Sequence, residues 1–373
     1  MKNAADSAAF FIRWGIDMRK NFILFLLLSL IFSGCRSAEC ENRKFERLFC
    51  WAAPVNEEQA SRYAAAGVTD ILVGTQKQFE YARKYGMNPY WKIFTPAGPH
   101  VQKISAKEQE YLDYISGKDL DKKIPKAEWN KIIFQRRKEK SYFHGGDAID
   151  ENTALGGVKI ACFSCDEDLV LTKKKLTAIL KSAPVGSAGI FMDYFGYNNH
   201  RGCYCENCLL KYEKFLKSKN LADTLSNRTA FYRQEIIDYY NKVTAFIKSQ
   251  RSDLKSVAHV YPYFRDDPWY ANGANLDYCA QTVAWYFKWK SEDIVKNTRH
   301  ILEHAKDYHP NTEAVPFLGL SSTKNHSLYA KTPEEVASEL EDILSAGAKS
   351  LMVCYGQVIL EKGYFEVFRK YCK

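Results

Sequence analysis

Three cysteines within six residues are the most specific chemical feature of this sequence. Cys203, Cys205 and Cys208 lie in the run Cys-Tyr-Cys-Glu-Asn-Cys. Three thiols at this spacing can converge on one ion, and zinc favours four tetrahedral ligands, often thiolates. The fourth ligand must come from elsewhere, and Cys162 and Cys165 are the candidates. Disulfides are the alternative, but bridges within such a run are strained. We therefore favour a closed structural zinc site.

Carboxyl side chains at the ends of apolar runs form a second group with chemical potential. Asp193 closes the run Gly-Ile-Phe-Met-Asp in an aromatic setting, where burial favours its use as a general acid. The alternative is a structural aspartate that accepts hydrogen bonds from loop amides. Asp266 and Asp267 follow a later apolar run and are candidates for a second carboxylate. Asp-Asp-Pro is equally an ordinary turn signal.

Aromatic and amide side chains near predicted strand ends are candidates for binding a sugar. Aromatic residues make up 14% of the sequence, with 24 Tyr and 7 Trp, and a flat ring with a polar edge suits a carbohydrate face. Lys92 and Trp91 are two further candidates in the third predicted strand, and His259, inside a predicted strand, is interpreted as a hydrogen-bonded core histidine. The candidate substrate-binding residues are Trp91, Tyr263, Trp285, Tyr286, Tyr355 and Gln357.

The elements that must position these residues alternate between short apolar runs and amphipathic stretches. Alternating strands and helices indicate a parallel sheet, and eight such units predict a (β/α)8 TIM barrel with its active site at the carboxyl ends of the strands. No glycine-rich phosphate loop follows a strand, which argues against a dinucleotide-binding sheet. The predicted strands are 48–53, 70–74, 89–94, 189–195, 256–263, 281–287, 314–320 and 350–355. The predicted helices include 57–66, 169–182, 232–251, 291–308 and 333–346.

One segment interrupts the alternation. Residues 95–158 are mostly polar and rich in lysine, and they follow the third predicted strand. A segment this long is usually functional or a small subdomain. We therefore predict a barrel over residues 45–373 with a long insertion that emerges at the active face.

The N-terminus resembles the signal peptide of a bacterial lipoprotein. Arg19 and Lys20 precede the apolar run 22–32, and Phe-Ser-Gly-Cys then resembles the lipobox in which Cys35 is acylated. An ordinary secretory signal cut elsewhere is the alternative. We expect residues 1–34 to be removed, residues 35–44 to form a tether, and the protein to be lipid-anchored at the cell envelope, at the outer membrane.

Charge gives no indication of a nucleic-acid partner. Removing residues 1–34 lowers the formal net charge from +9 to about +7, because four basic and two acidic residues are lost. The remaining basic residues are interspersed with acidic ones, as in 118–126, which is typical of a solvated surface.

The region around Asp193 resembles the β-galactosidases of glycoside hydrolase family 42, and also uncharacterised hydrolase-like barrels. The likeness rests on Met-Asp-Tyr at 192–194, on the Cys-x-Cys-x-x-Cys run ten residues later, and on Ala-Cys-Phe-Ser at 161–164. It implies that Asp193 takes the place of the acid/base Glu and that Cys162 is the fourth zinc ligand. The family's nucleophilic Glu has no counterpart at the end of strand 314–320, and Glu313 lies at the other end.

Two functions follow as expectations. The first is a carbohydrate-active enzyme, a glycoside hydrolase that acts on oligo- or polysaccharides at the envelope, with Asp193 as acid/base and a structural zinc. The second is a barrel that binds glycans without cleaving them, because the carboxylate pair of a retaining enzyme is not recoverable from the sequence.

Overall fold

Eight parallel strands close into a barrel in the order of the chain, which confirms the predicted (β/α)8 fold. The computed structural model describes residues 44–94, 100–103, 106–139, 161–193, 196–197, 202–260, 273–284, 289–308, 311–322 and 330–372. The strands are β1 (Arg47–Trp51), β2 (Asp70–Val73), β3 (Asn88–Phe94), β4 (Gly189–Asp193), β5 (Lys255–Val260), β6 (Tyr278–Ala284), β7 (Glu313–Gly319) and β8 (Ser350–Cys354).

Ten helices connect and surround these strands within the described residues. They are α1 (Glu57–Ala65), α2 (Gln76–Lys84), α3 (Ala106–Ile115), α4 (Lys126–Glu139), α5 (Asp166–Ser182), α6 (Glu206–Lys219), α7 (Leu225–Gln250), α8 (Ser291–Tyr308), α9 (Pro333–Ser345) and α10 (Tyr364–Tyr371). A 3-10 turn spans Gly356–Leu360. No helix among the described residues is both long and apolar enough to span a membrane.

Closure depends on the pairing of the first strand with the last. β1 pairs in parallel with β2 and with β8, so that Leu48 lies opposite Leu351. The sheet therefore leaves no free edge. The sixth strand begins at Tyr278, three residues before the predicted start. All seven of its residues are buried, as expected when a parallel strand is covered on both faces and shows no polar alternation.

Aromatic rings fill much of the barrel interior. The rings of Phe49 and Tyr278 lie 5.1 Å apart, and those of Trp51 and Phe191 lie 5.3 Å apart. Gly189 makes room for this packing, because a Cβ atom there would lie 2.2 Å from the Lys255 carbonyl oxygen. The interior is therefore a packed core rather than a channel.

An ion pair helps to close the amino-terminal end of the barrel. Arg47 contacts the fully buried carboxylate of Asp70 at 3.1 Å, and its guanidinium lies 4.8 Å from the centre of the Tyr278 ring. Burial raises the pKa of Asp70, while Arg47 opposes that rise. These polar groups lie at the end opposite the predicted active face, where barrel residues serve stability.

Helix α9 begins as its sequence predicts. Thr332 accepts a hydrogen bond from the Glu335 amide, and the Glu335 side chain accepts one from the Thr332 amide, which completes a capping box. Pro333 occupies the first turn, where its missing N–H costs nothing. Gly347 follows the last turn with φ +99°, a conformation that glycine adopts without strain.

The chain between β3 and β4 contains two helices, α3 and α4, that were not predicted from the sequence. α3 and α4 lie within residues 95–158, and Arg136 on α4 forms a bidentate ion pair with Asp119 at 2.5 and 2.8 Å. Arg136 also donates to the Tyr114 carbonyl at 2.7 Å. α3 and α4 are polar in composition and have no clear apolar stripe, so hydrophobic periodicity does not indicate them.

A buried ion pair fixes the segment that leads from β7 to α9. Lys331 and Glu339 lie 2.7 Å apart, with side chains only 1% and 9% exposed. Burial lowers the pKa of Lys331 and raises that of Glu339, while each partner opposes the other's shift. The Lys331 carbonyl also accepts a hydrogen bond from the Tyr364 hydroxyl, which ties this segment to α10.

We expect Lys331→Met to lower the free energy of unfolding by about 3–5 kcal/mol, because it leaves the Glu339 carboxylate buried without a counter-charge. The double variant Lys331→Met/Glu339→Leu should recover most of this loss. Urea denaturation of both variants measures it, with Lys217→Met, which breaks an exposed pair with Glu213, as the control. Equal destabilisation by the single and double variants would contradict this account.

Candidate functional site and metal centre

The carboxyl end of the barrel holds a buried ion pair. Asp193, the last residue of β4, is 2% exposed, and its Oδ2 atom lies 2.8 Å from Nζ of Lys92 on β3. The Lys92 side chain is 23% exposed, so the pair lies at the boundary between core and solvent. An ammonium at this distance favours the ionised carboxylate. Asp193 is therefore disposed to accept a proton or to stabilise a nearby positive charge.

Aromatic rings flank the ammonium group. Nζ of Lys92 lies 5.1 Å from the centre of the Trp51 ring and 4.0 Å from that of Phe94. A cation held over a ring face in this way is stabilised by about 0.5–2 kcal/mol. Phe94 ends β3 and is 49% exposed, so a large apolar surface is accessible beside the charged pair. Such a surface can pack against a flat apolar ligand face.

His259 lies inside the barrel near the same end. It is 4% exposed, and its ring stacks on Phe317 with 3.8 Å between centroids. Its Nε2 atom lies 3.1 Å from the Thr282 hydroxyl, and the Trp51 ring meets it edge-on at 5.6 Å. The predicted burial and hydrogen bond are confirmed. The sequence did not indicate that the ring lies at the barrel mouth together with Lys92 and Asp193. Both faces of a parallel strand are buried, so no polar alternation distinguishes the residues that point into the barrel.

Tyr355 follows β8 in a conformation that is uncommon for a side chain of its size. Its φ and ψ are 55° and 51°, and its ring is 43% exposed. The next residue, Gly356, packs so closely that a Cβ atom there would lie 2.2 Å from Cys50 Sγ. Gln357 is exposed in the same turn. Backbone strain of this kind concentrates at functional sites. Tyr355 directly follows a barrel strand, which is where barrel enzymes place their functional residues.

Trp91 does not face the barrel mouth. It is 7% exposed, its ring stacks beside Phe79 at 6.5 Å, and its Nε1 donates to the Ser187 hydroxyl at 2.9 Å. Successive strand residues point to opposite faces, so Lys92 points inward and Trp91 outward, under the helices. Of the two β3 candidates, Lys92 therefore reaches the candidate site and Trp91 does not.

Several residues predicted for function fall outside the described part of the chain. Both candidates for the second carboxylate and three predicted sugar-binding positions are among them, and those roles stay predictions. These residues are Cys35, Tyr263, Asp266, Asp267, Trp285 and Tyr286.

Four buried cysteines converge beside this face. The Sγ atoms of Cys162, Cys203, Cys205 and Cys208 all lie within 4.8 Å of one another. Cys162 is 3.3 Å from Cys208 and 3.6 Å from Cys205, far longer than a disulfide bond of about 2.0 Å. Four sulfurs around one zinc ion are separated by about 3.8 Å. The cluster could therefore bind a metal, and the prediction that Cys162 joins the other three is confirmed.

Cys165 is separate from this cluster. Its thiol donates to the Glu167 carboxylate at 2.8 Å, and burial, helped by that hydrogen bond, raises its pKa to about 11. Within the cluster, the shared hydrogen bonds lower the pKa of Cys203 and Cys205 and raise the pKa of Cys162 and Cys208. Two of the four sulfurs are thus favoured as thiolates, and a divalent cation would displace the protons of the other two.

The cluster joins segments that are distant in sequence. Cys162 donates its amide hydrogen to the His100 carbonyl at 2.7 Å, and the Tyr204 amide donates to the Lys103 carbonyl at 2.8 Å. The Lys103 amide also donates to Cys203 Sγ at 3.4 Å. The chain after β3 therefore contacts the chain before α5 and the chain after β4. Since β3 and β4 carry Lys92 and Asp193, these contacts help to fix the two strand ends that form the ion pair.

Gln102 and Tyr232 support the same junction. The Gln102 amide donates to the carbonyls of Ala161 and Gly196 at 3.1 and 3.2 Å and is nearly buried. The Tyr232 hydroxyl donates to the Cys203 carbonyl. Its ring packs on Gly202, where a Cβ atom would lie 2.2 Å from it. The cluster is thus enclosed on this side by an aromatic ring, as suits a closed structural site.

Comparison with known proteins adds information at the level of fold. No family model matches the chain, and no curated protein matches its sequence. The glycoside hydrolase domain of PgaB (BpsB) from Bordetella bronchiseptica is similar in structure, with a TM-score of 0.51, 8% identity, and coverage of 88% of this chain and 99% of that one.

Two β-galactosidases are similar to the same degree. The enzyme from the haloarchaeon Halorubrum lacusprofundi gives a TM-score of 0.51 at 11% identity, with coverage of 87% of this chain and 57% of that one. A catalytic mutant of Gan42B, a GH42 β-galactosidase from G. stearothermophilus, gives 0.50 at 10% identity, with coverage of 89% and 56%. The chain therefore spans a little over half the length of these enzymes, and what it shares with them is the barrel fold.

Proposed function

We propose that this protein is a carbohydrate-active enzyme, a glycoside hydrolase of oligo- or polysaccharides in which Asp193 is the acid/base residue. The observation that carries the proposal is the ion pair of Asp193 with Lys92 at the carboxyl end of the barrel. Barrel enzymes place catalytic groups at strand ends on this face. The barrel fold common to the glycoside hydrolases above is consistent with the proposal but does not specify activity.

The chemistry required of Asp193 follows from its surroundings. Glycoside cleavage passes through a transition state with positive charge on the sugar ring. A buried carboxylate stabilises such a charge strongly, because the surrounding protein screens it poorly. Phe94 and Tyr355, both exposed near the mouth, provide ring surfaces against which a sugar can pack.

A barrel that binds glycans without cleaving them is the second candidate function. β7 ends at Gly319, and Glu313 begins it, where its carboxylate accepts a hydrogen bond from Ser350. Among the described residues, β7 thus places no carboxylate at the mouth. A hydrolase that uses two carboxylates would need its second one elsewhere, and Asp266 and Asp267 remain the candidates.

We expect Asp193→Asn to reduce hydrolysis of a bound glycan at least about 100-fold, because the variant cannot exchange a proton. A glycan array identifies ligands, and release of reducing sugar measures turnover. Asp277→Asn is the matched control, since Asp277 pairs with Lys248 at 3.1 Å just before β6, at the opposite end of the barrel. If wild-type protein binds glycans but cleaves none of them, the binding function replaces the enzymatic one.

We propose further that the cysteine cluster holds a structural zinc ion, with Cys162, Cys203, Cys205 and Cys208 as its ligands. Four thiolates would complete a tetrahedral shell, so the ion would stabilise the fold and leave no position for substrate. The mutual Sγ distances and the absence of disulfide bonds among the described cysteines support this assignment.

Metal analysis of the purified protein should find one zinc ion per chain. Cys162→Ser should lose the metal and lower the melting temperature, because the coordination shell loses a ligand. Cys165→Ser is the matched control, since Cys165 lies three residues away outside the cluster, and it should retain the metal. Zinc-free protein whose cluster thiols are oxidised in pairs would refute the assignment.

Lipid anchoring at the cell envelope, at the outer membrane, is part of the same proposal. The support is the apolar run that leads into Ser-Gly-Cys35. Cells that produce the full chain should contain it in the membrane fraction, and Cys35→Ser should move it out of that fraction. Mass spectrometry of the mature N-terminus checks the acyl group. An unmodified N-terminus at another residue would indicate an ordinary secretory signal.

A further inference from the structure

We propose that His259 works together with Asp193 as the proton-transfer pair of the barrel mouth. The inference deepens the proposed glycoside hydrolase function and rests on it for the identity of the substrate. It assigns a chemical role to a buried histidine that the sequence interpretation left in the core. Three features of the structure carry it: the register of two strands, the contacts that orient the ring, and the charges that face it.

The register of β4 and β5 places Asp193 and His259 at the same height along the barrel axis. β4 and β5 pair in parallel with Phe191 opposite Val257 and Met192 opposite Ala258. Phe191 and Val257 both belong to the interior of the barrel. Two residues further on, alternation directs Asp193 and His259 to the same interior. Neighbouring strands lie about 4.8 Å apart, so the two side chains start from adjacent positions at the mouth.

Contacts from three other strands hold the imidazole in one orientation. Phe317 on β7 stacks against its face with 15° between the planes, and Trp51 on β1 meets it edge-on at 68°. Thr282 on β6 lies within hydrogen-bonding distance of its Nε2 atom. A ring fixed in this way can exchange a proton with a ligand at a defined position, as general acid–base catalysis requires.

The charges around the ring explain why a second ionisable group is needed. Lys92 favours the ionised form of Asp193, so Asp193 is poorly placed to donate a proton to a leaving group. Histidine is the side chain that gains and loses a proton near neutral pH. The described titratable groups that end or follow the strands at this end of the barrel include Asp193 on β4, Lys92 on β3, Cys354 at the end of β8 and Tyr355 directly after it.

The pair accounts for every proton in the reaction. Protonated His259 donates to the glycosidic oxygen as its bond to the anomeric carbon breaks. Asp193 stabilises the positive charge that develops on the sugar ring. Water then adds to the anomeric carbon and gives its proton to the Asp193 carboxylate, and transfer of that proton to His259 restores the initial state. The net reaction is hydrolysis of one glycosidic bond by one water molecule.

Nuclear magnetic resonance of histidine-labelled protein tests the coupling without any substrate. The chain has eight histidines, and the His259 signals are assigned with His259→Gln or, if that variant does not fold, from proximity to the Trp51 and Phe317 rings. We expect His259 to titrate between about pH 5 and 8. Asp193→Asn should lower the midpoint by about one pH unit, because a neighbouring negative charge is lost, and Lys92→Met should raise it. No titration, or a midpoint that Asp193→Asn leaves unchanged, overturns the proposal.

The pH dependence of turnover separates this inference from the proposed function. With a glycan that wild-type protein cleaves, His259→Gln should abolish the limb of the rate profile that reports the histidine. His300→Gln, which replaces a histidine on helix α8 outside the strands of the barrel, should retain that limb. Turnover with an unchanged profile in His259→Gln would overturn the inference and leave the hydrolase function standing. Coupled titration without turnover of any bound glycan would instead refute the hydrolase function.

Discussion

Closure of the parallel sheet is the constraint on which the rest of this structure depends. β1 pairs with β8, so all eight strands run the same way around one axis and their carboxyl ends share one face. Each residue is then committed either to the interior or to the layer beneath the helices. Side chains from different strands, such as Lys92 and Asp193, become neighbours only because the sheet closes in this register.

The cysteine cluster acts on the same face from outside the barrel. Its four thiols come from the chain before α5 and from the start of α6, and backbone hydrogen bonds connect both to the chain after β3. The long segment between β3 and β4 is therefore held by hydrogen bonds just after β3 and just before α5. This arrangement lets a barrel carry a large polar insertion beside its mouth without loosening the strand ends that carry charge.

Charge at the mouth is balanced within the pair and shielded by rings. Lys92 lies against Asp193 and over Trp51 and Phe94, and the Trp51 ring also contacts the His259 ring. In such surroundings charges interact more strongly than they do in water. A carboxylate, an ammonium and an imidazole thus lie around one aromatic centre, and ionisable groups gathered in this way are typical of acid–base sites.

The sequence by itself determined the alternation of strands and helices, the first residue of α9, the Cys-x-Cys-x-x-Cys run and the position of Asp193 at a strand end, because these signals are local. Only the tertiary structure decided that Lys92 rather than Trp91 points inward and that His259 lies at the mouth, since strands buried on both faces show no polar alternation. Spacing alone left Cys162 and Cys165 as equal candidates for the fourth ligand, and the resemblance implied Cys162. The tertiary structure decided for Cys162, because folding brings it into contact with Cys205, 43 residues away in the sequence.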